Sequence, residues 1–406
     1  MFPTKDQLAV PGAICLAAVI LVACGGGGGE KAPAAPAAPV STMGRLAVSL
    51  TDAPACGFDA VNVTVTKVRV HRSEAAAEGD AGWTDITLDP ARKIKLLDLN
   101  NGVLEALGQA PLEAGRYTQL RLVLDANASG TANTVVPTAG KNEQPLETPA
   151  AVQSGIKLVG GIDVIAGITT DVVLDFDACK SVLPRGRGNY ALRPAVKLVP
   201  AAANGIAGFI STTLLGRSVQ VSAQQDGVIV GATSPNPATG EFVLSRLAPG
   251  SYDVVITADN SAASVVAGVP VASIASTTVL STAGAPIMLA PGIGGSISGA
   301  VSMSPASQEA AYVSAKQSFA AGPTVTIRYQ GADLASGAYT LANLPVSAPQ
   351  YATYSAALPL AFSASGATAA GVYRVEAAAA GHAGKAVDGV DIKAANRSNL
   401  DFILTP

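Results

Sequence analysis

The chain has 406 residues, with 26 basic and 29 acidic side chains and a formal net charge of −3. That length allows two to four domains of ordinary size, and the near balance of charge carries no electrostatic footprint for nucleic acid. Aromatics make up 4% and histidines number two, against 42 glycines and 26 prolines, a profile that suits many short strands better than long helices.

Residues 13–23, AICLAAVILVA, form an apolar run of eleven. A spanning helix needs about 20 such residues, so the run fits the hydrophobic part of a secretory signal, behind a short segment carrying Lys5. Leu21-Val22-Ala23-Cys24 resembles the lipobox of bacterial lipoproteins. The resemblance implies cleavage before Cys24, a diacylglycerol on its sulfur and an acylated new amino terminus, with Cys15 lost in the removed signal peptide, residues 1–23. Two or three acyl chains exceed the marginal grip of one. The alternative is an ordinary signal peptide with an incidental cysteine. Residues 24–43 then read as a tether, flexible in its glycines and stiffer in its Ala-Pro part. Gly25, rather than an aspartate, follows the cysteine; in a Gram-negative cell the usual sorting rule implies the outer membrane.

Residues 44–200 read as strands, seven to nine of them. Val61, Val63 and Val65 alternate on one face, then Val68 and Val70 continue in the opposite phase, which predicts a bulge or bend. Residues 100–108, NNGVLEALG, have room for a short helix ending at Gly108. Leu120, Leu122 and Leu124 share a face, as do Val172, Leu174 and Phe176. Tyr190, Leu192, Val196 and Leu198 share another, where Pro194 predicts an edge or a bulge. Cys56 and Cys179 are expected to pair after export to an oxidising compartment. A loop of ~100 residues closed this way gives about 4.7 kcal/mol at most. Two free buried thiols or a metal pair are the alternatives, the latter a poor zinc site without nearby histidine.

The blocks GRLAVSLTDAPACGFDAVNVTVTKVRVH, GWTDITLD, LLDLNNGVLEALGQAPLEAGRYTQLRLVLD, SGIKLVGGIDV and LDFDACKSVL resemble the bacterial domain-of-unknown-function family numbered 4382. The resemblance spans most of residues 44–200. It implies no activity; the family occurs on secreted and lipid-anchored bacterial proteins.

The remaining chain carries a degenerate repeat, predicted as 205–290 and 293–406. Gly240 matches Gly337, Phe242 matches Tyr339, Leu244 matches Leu341 and Leu247 matches Leu344. Gly250-Ser-Tyr252 then matches Gly371-Val-Tyr373, and Gly268-Val269 matches Gly389-Val390 at equal spacing. The second copy carries an insertion, residues 346–370. The pattern is similar to the transthyretin-like modules of carboxypeptidase regulatory domains and collagen-adhesin B-type repeats. That resemblance implies a seven-stranded sandwich of about 90 residues per copy. No donor, acceptor and acid set for an isopeptide bond stands out.

Chemistry-bearing residues are scarce. Serine hydrolysis needs a base oriented by a carboxylate, but His71 ends a strand, His382 lies in a loop, and no Gly-x-Ser-x-Gly elbow occurs. Asp175 and Asp177, at i and i+2 on one strand face, are weak calcium candidates. Asp52 and Asp59 could add ligands if a disulfide draws Cys179 near Cys56. The competing expectation is a solvated outer face. Trp83 suits hairpin packing better than a sugar platform. Tyr351 and Tyr354, inside the insertion, are the better candidates for an exposed binding contact. No phosphate loop, dinucleotide fingerprint or basic stripe is present, so no cofactor is expected.

The sequence therefore predicts an all-β chain of antiparallel sandwiches, immunoglobulin-like or transthyretin-like, behind a signal peptide and tether. The expected role is structural or binding, without catalysis. Expected partners are the membrane, through acyl chains on Cys24, and a polysaccharide or envelope protein. An accessory subunit of an envelope hydrolase or a calcium-dependent adhesin are the alternatives.

Overall fold

Period-two alternation of apolar and polar residues puts nearly the whole chain into strands. The computed structural model describes residues 42–52, 57–128, 131–320, 322–364 and 370–406. The signal segment, Cys24, the tether up to residue 41 and Cys56 lie outside the described residues.

The first of three two-sheet units contains β1 (Met43–Asp52), β2 (Phe58–His71), β3 (Thr84–Lys95), β4 (Glu105–Glu113), β5 (Gly115–Leu124) and β6 (Thr134–Pro137). It continues with β7 (Gln144–Glu147), β8 (Ile156–Val164), β9 (Thr169–Phe176), β10 (Val182–Pro184), β11 (Tyr190–Leu192) and β12 (Val196–Pro200), plus two short helices, α1 (Pro149–Gln153) and α2 (Ala178–Ser181). One sheet runs β12-β9-β1-β4; the other runs β10-β11-β7-β6-β2-β5-β8, with β3 also paired to β2. The twelve strands exceed the seven to nine expected, because β6, β7, β10 and β11 are only three or four residues long.

In β2, Val61, Val63, Val65, Val68 and Val70 are all fully buried. The phase slip between them is taken up by a bulge between Val65 and Lys67. The helix expected over 100–108 is not formed: β4 begins at Glu105, and a 3-10 turn stands upstream at Leu96–Leu99. Pairing with β1 buries Leu107, Ala110 and Leu112, and this tertiary pairing outweighs local helix propensity. At Pro194 the predicted strand splits in two. β11 belongs to the larger sheet and β12 to the edge of the smaller one, so the proline marks a crossing between sheets.

The second unit holds β13 (Gly205–Phe209), β14 (Gln220–Gln225), β15 (Val228–Thr233), β16 (Glu241–Ser245), β17 (Gly250–Thr257), β18 (Ser264–Val271) and β19 (Thr277–Val279). The third holds β20 (Gly294–Met303), β21 (Ala311–Ser318), β22 (Thr324–Gly331), β23 (Ala338–Pro345), β24 (Gln350–Thr353), β25 (Val372–Ala379), β26 (Lys385–Asp391) and β27 (Phe402–Leu404). Both repeat one topology: β16-β13-β19 answers to β23-β20-β27, and β15-β14-β17-β18 answers to β22-β21-β25-β26. The residues matched in the sequence repeat, Phe242 with Tyr339, Leu244 with Leu341 and Tyr252 with Tyr373, are buried in the two separate cores. Most pairs are antiparallel; β1–β9, β7–β11, β13–β19, β18–β24 and β20–β27 are parallel.

β24 breaks the symmetry. It leaves its own unit and pairs with β18 of the second, Ser264 to Ala267 against Gln350 to Thr353. Tyr354, Leu360 and Phe362 follow it onto the second core, while the Tyr351 ring lies 4.9 Å from Phe319 against the third. Tyr351 and Tyr354, expected as exposed contacts, are half-buried instead. The insertion covers the edge of a sheet whose backbone groups would otherwise be open to pairing.

A shared corner links all three units. The Tyr252 hydroxyl donates to the Ala248 carbonyl at 2.6 Å, and the Tyr117 hydroxyl donates to Glu113 at 3.1 Å. Tyr373 donates to the carbonyl of Pro345, the residue aligned with Ala248, across the whole insertion. Each tyrosine follows a glycine by two positions, at Gly115, Gly250 and Gly371. Such a bond ties the end of one strand to the start of the next. Tyr252→Phe and Tyr117→Phe should each lower stability by about 1 kcal/mol, read as a fall in the urea midpoint at unchanged slope.

Candidate functional site at the three-unit junction

The outer face of β9 is where the sequence puts its paired carboxylates, and it faces protein rather than solvent. β9 sits between β1 and β12, so Asp175 lies opposite Thr51 on one side and Lys197 on the other. The second unit covers this face. A cavity of 60 Å³ is lined by Thr51, Asp52, Asp175 and Lys197 from the first unit and by Thr233 and Arg246 from the second. A neighbouring one of 140 Å³ runs from Asp175 past Asp177 to Val230. Both fall well short of the ~300 Å³ at which organic ligands are usually enclosed.

Burial pushes the Asp175 carboxyl up to about 6; Asp177 adds to the rise, while Lys197, Arg246 and Lys180 oppose it. Desolvation is the dominant cause, because removing water disfavours the charged form. Lys197 turns its ammonium to the Val230 carbonyl at 3.2 Å, and Arg246 donates to Ser245 at 2.8 Å and to the Gly102 carbonyl at 3.2 Å. The cations here are thus held in place by both units.

Asp177 and Asp52 converge on the start of α2. Asp177 accepts from the Lys180 backbone at 3.0 Å and forms an ion pair with the Lys180 ammonium at 3.0 Å. Asp52, 5% exposed, accepts from the Ala178 backbone at 3.1 Å. The third unit closes over them. Tyr329 donates to Asp177 at 3.5 Å and Tyr312 donates to the Lys180 carbonyl at 2.7 Å. Burial raises the Tyr312 phenol to about 12, and raises Tyr329 well above its usual value. Both rings therefore act as neutral donors.

Of the carboxylates grouped as weak calcium candidates, Asp52 and Asp177 are thus spent on backbone and lysine, while the Asp175 carboxyl is pushed up by burial. Asp59 accepts from Thr138 at 2.8 Å, on β2 rather than beside Asp175. Among the described residues, no group of three or more His, Cys, Asp and Glu is placed to hold a metal ion. Cys179 is 7% exposed, on α2, and is a disulfide cysteine; Cys56, its expected partner, lies outside the described residues.

Side chains that the sequence did not single out lock the junction. Asn101, with φ of +55°, accepts from Val243 at 3.1 Å and from Thr233 at 2.8 Å. Gln224, fully buried, exchanges two 2.8 Å bonds with the Thr326 backbone. Asp333 accepts from Gly186 at 2.7 Å, and Asp259 takes Asn343 at 3.0 Å and Arg328 at 3.5 Å. Local pattern does not mark them: Gln224 alternates with Val221 and Ala223 and shares the polar face of β14 with Gln220 and Ser222.

The remaining candidates are structural. His71 accepts from the Ser73 backbone at 2.9 Å through Nδ1, and its Nε2 meets the Ala81 carbonyl at 3.0 Å. Trp83 lies beside it, 5.0 Å between rings, under the guanidinium groups of Arg69 and Arg121 at 4.9 and 5.1 Å. That stack fastens the 72–83 loop to the sheet and leaves no open aromatic face for a sugar. His382 is half-buried, and its ring bonds only its own loop, at the Ala380 carbonyl.

Residues 43–194 match the family model described as "Domain of unknown function (DUF4382)". No curated protein matches the chain. Among solved structures, a type II cohesin–X-dockerin complex from Acetivibrio cellulolyticus is 26% identical over 22% of this chain and 58% of that one, with a TM-score of 0.19. The chain thus spans little more than half of that relative. The Bacillus anthracis TIE protein is 10% identical over 90% of this chain and 50% of its own, at 0.16. The Corynebacterium diphtheriae major pilin SpaA is 10% identical over 89% of this chain and 100% of its own, at 0.20. Scores of this size establish no common arrangement of domains.

Proposed function

We propose that this chain is a lipid-anchored envelope protein, held at the outer membrane through Cys24, whose three β units form one non-catalytic body that presents a binding surface to a polysaccharide or an envelope protein. The supporting observation is the junction itself. Asn101, Asp177, Gln224 and Asp333 tie the units to one another, which gives a stiff surface rather than a string of separate beads. The titratable groups gathered there are engaged in that packing. Their cavities are smaller than an organic substrate requires.

The anchor rests on Leu21-Val22-Ala23-Cys24 and on the glycine tether behind it. Cys56 is the proposed partner of Cys179, leaving Cys24 as the acylated thiol. The test is the mass of the amino-terminal peptide of the protein purified from detergent-solubilised envelopes. A diacylglyceryl, N-acylated Cys24 is expected, together with a 56–179 linked peptide under non-reducing conditions. Intact chain in the soluble fraction with an unmodified Cys24 overturns the anchor. Turnover of any ester, peptide or glycoside in a broad panel overturns the non-catalytic part.

A further inference from the structure

The end of the first unit at which the tether arrives carries an apolar tip. β8 and β9 belong to different sheets and are joined by the turn Ile165-Ala166-Gly167-Ile168. The Ile168 backbone donates to the Ile165 carbonyl at 3.2 Å, and Gly167 has φ of +76°. This is the geometry of a type II turn, with glycine where a left-handed residue is required. Exposed turns are usually built from polar residues, glycine and proline. Here the corner is Ala166-Gly167, and the first and last positions are isoleucines, 56% and 53% exposed.

Met43, 40% exposed, stands beside them at the start of β1. Gly167 donates to the Met43 carbonyl at 2.9 Å, and Arg45 donates to the Ile168 carbonyl at 2.9 Å. A Cβ on Gly44 would fall 2.3 Å from the Ile165 carbonyl oxygen. The glycine therefore lets the turn clamp directly onto the strand that the tether feeds. The three apolar side chains are held together by backbone contacts rather than by chance of a loop.

We infer that Ile165, Ile168 and Met43 form a membrane-contact tip that dips into the lipid interface beside the tether and sets the orientation of the whole body. The inference rests on the proposed acylation of Cys24. Nineteen residue steps separate Cys24 from Met43. With five flexible glycines and a stiffer, extended Ala-Pro part, a chain of that length spans roughly 20 to 60 Å, short enough for the tip to reach the bilayer that holds Cys24. A lipid surface fits better than a protein partner, because stable protein interfaces bury about 1,200 Å² or more, far beyond three side chains. Of the nearby charges, Arg72 pairs with Glu113 at 3.0 Å and Arg116 with Asp163 at 3.4 Å, whereas Arg45, exposed on β1 two residues from Met43, makes no ion pair with the described residues. The contact is apolar at its three side chains, and Arg45 adds an attraction to anionic headgroups beside them. The acyl chains hold the protein; the tip adds a second, weaker signal.

The test uses the full-length protein from solubilised envelopes, reconstituted into phosphatidylethanolamine–phosphatidylglycerol vesicles with or without brominated phosphatidylcholine. Ile165→Trp and Ile168→Trp are made separately, with Ile274→Trp, 66% exposed in the second unit, as the control. Emission above the common Trp83 background is compared. At least twofold stronger quenching at 165 or 168 than at 274 is expected. Equal quenching at all three positions overturns the inference. So does a blue shift at 168 without vesicles, accompanied by a dimer in sedimentation, which assigns the tip to a second copy. The Cys24 peptide mass is read first: an unmodified cysteine overturns the anchoring reading, and the tip with it, whereas acylated protein without quenching overturns the tip alone.

Discussion

Gly240→Ala and Gly337→Ala should each destabilise the protein by about 2–5 kcal/mol, and the companion changes Gly268→Ala and Gly389→Ala by only about 1–2 kcal/mol. All four glycines have φ near +70°, between +70° and +75°, where an L side chain costs about 1–2 kcal/mol. The difference lies in what a Cβ would meet. At Gly240 it falls 2.1 Å from the Ile210 carbonyl oxygen, and at Gly337 it falls 2.1 Å from that of Val301; at Gly268 and Gly389 nothing lies within 4 Å. Those carbonyls belong to residues whose own N–H groups bond Gly240 and Gly337 at 2.8 and 2.9 Å. The clash can be relieved only by moving backbone, which adds about 1–3 kcal/mol. Each glycine also closes a side-chain-capped turn. Asn236 accepts from Ala238 and Thr239 at 2.9 and 3.1 Å, and Asp333 accepts from Ala335 and Ser336 at 2.9 Å each. Urea melts measure the outcome; equal losses at Gly240 and Gly268 would show that the carbonyl approach contributes nothing.

These glycines show which parts of the fold a sequence can carry. The repeat was legible because its residues act locally: an apolar strand face, a turn and a tyrosine two residues past a glycine recur at fixed spacing. The same corner in the first unit, Gly115 to Tyr117, went unmatched because its surroundings differ, although its hydroxyl makes the same bond back by four residues. The bulge in β2 was legible for the same reason, as a break in period two. The junction was not. Asp175 alternates with Leu174 and Phe176 as an outward carboxylate should, and nothing within its own strand says that a second unit will cover it. Tyr351 and Tyr354 failed likewise. An insertion is expected on a loop, and this one is a strand on the neighbouring sheet. Burial imposed by residues 50 to 200 positions away leaves no mark on local pattern.

Asp175→Asn should raise stability by up to ~3 kcal/mol at neutral pH, and the gain should vanish in acid. The folded protein holds this carboxyl up to about 6, against an ordinary value of 3.8 in the unfolded chain. A gap of about 2 in pKa corresponds to ~3 kcal/mol. Between these two values the folded state binds the proton that the unfolded state has released, so stability falls as pH rises. The favourable contribution is complete below about 4 and is lost as pH climbs through about 6. Above that, the protein carries a charge in a recessed, largely desolvated site, with Asp177 repelling it and Lys197 and Arg246 only partly compensating. Asparagine keeps the shape and removes the charge. Wild-type urea midpoints should therefore decline from pH 4 to pH 7, and those of Asp175→Asn should decline less. Lys197→Met supplies the opposite arm. It removes the largest opposing charge, so it should push the Asp175 carboxyl higher and destabilise the protein most at neutral pH. Parallel pH profiles for wild type and Asp175→Asn would mean that the second unit does not cover this face in solution, and the stiff three-unit body would go with it.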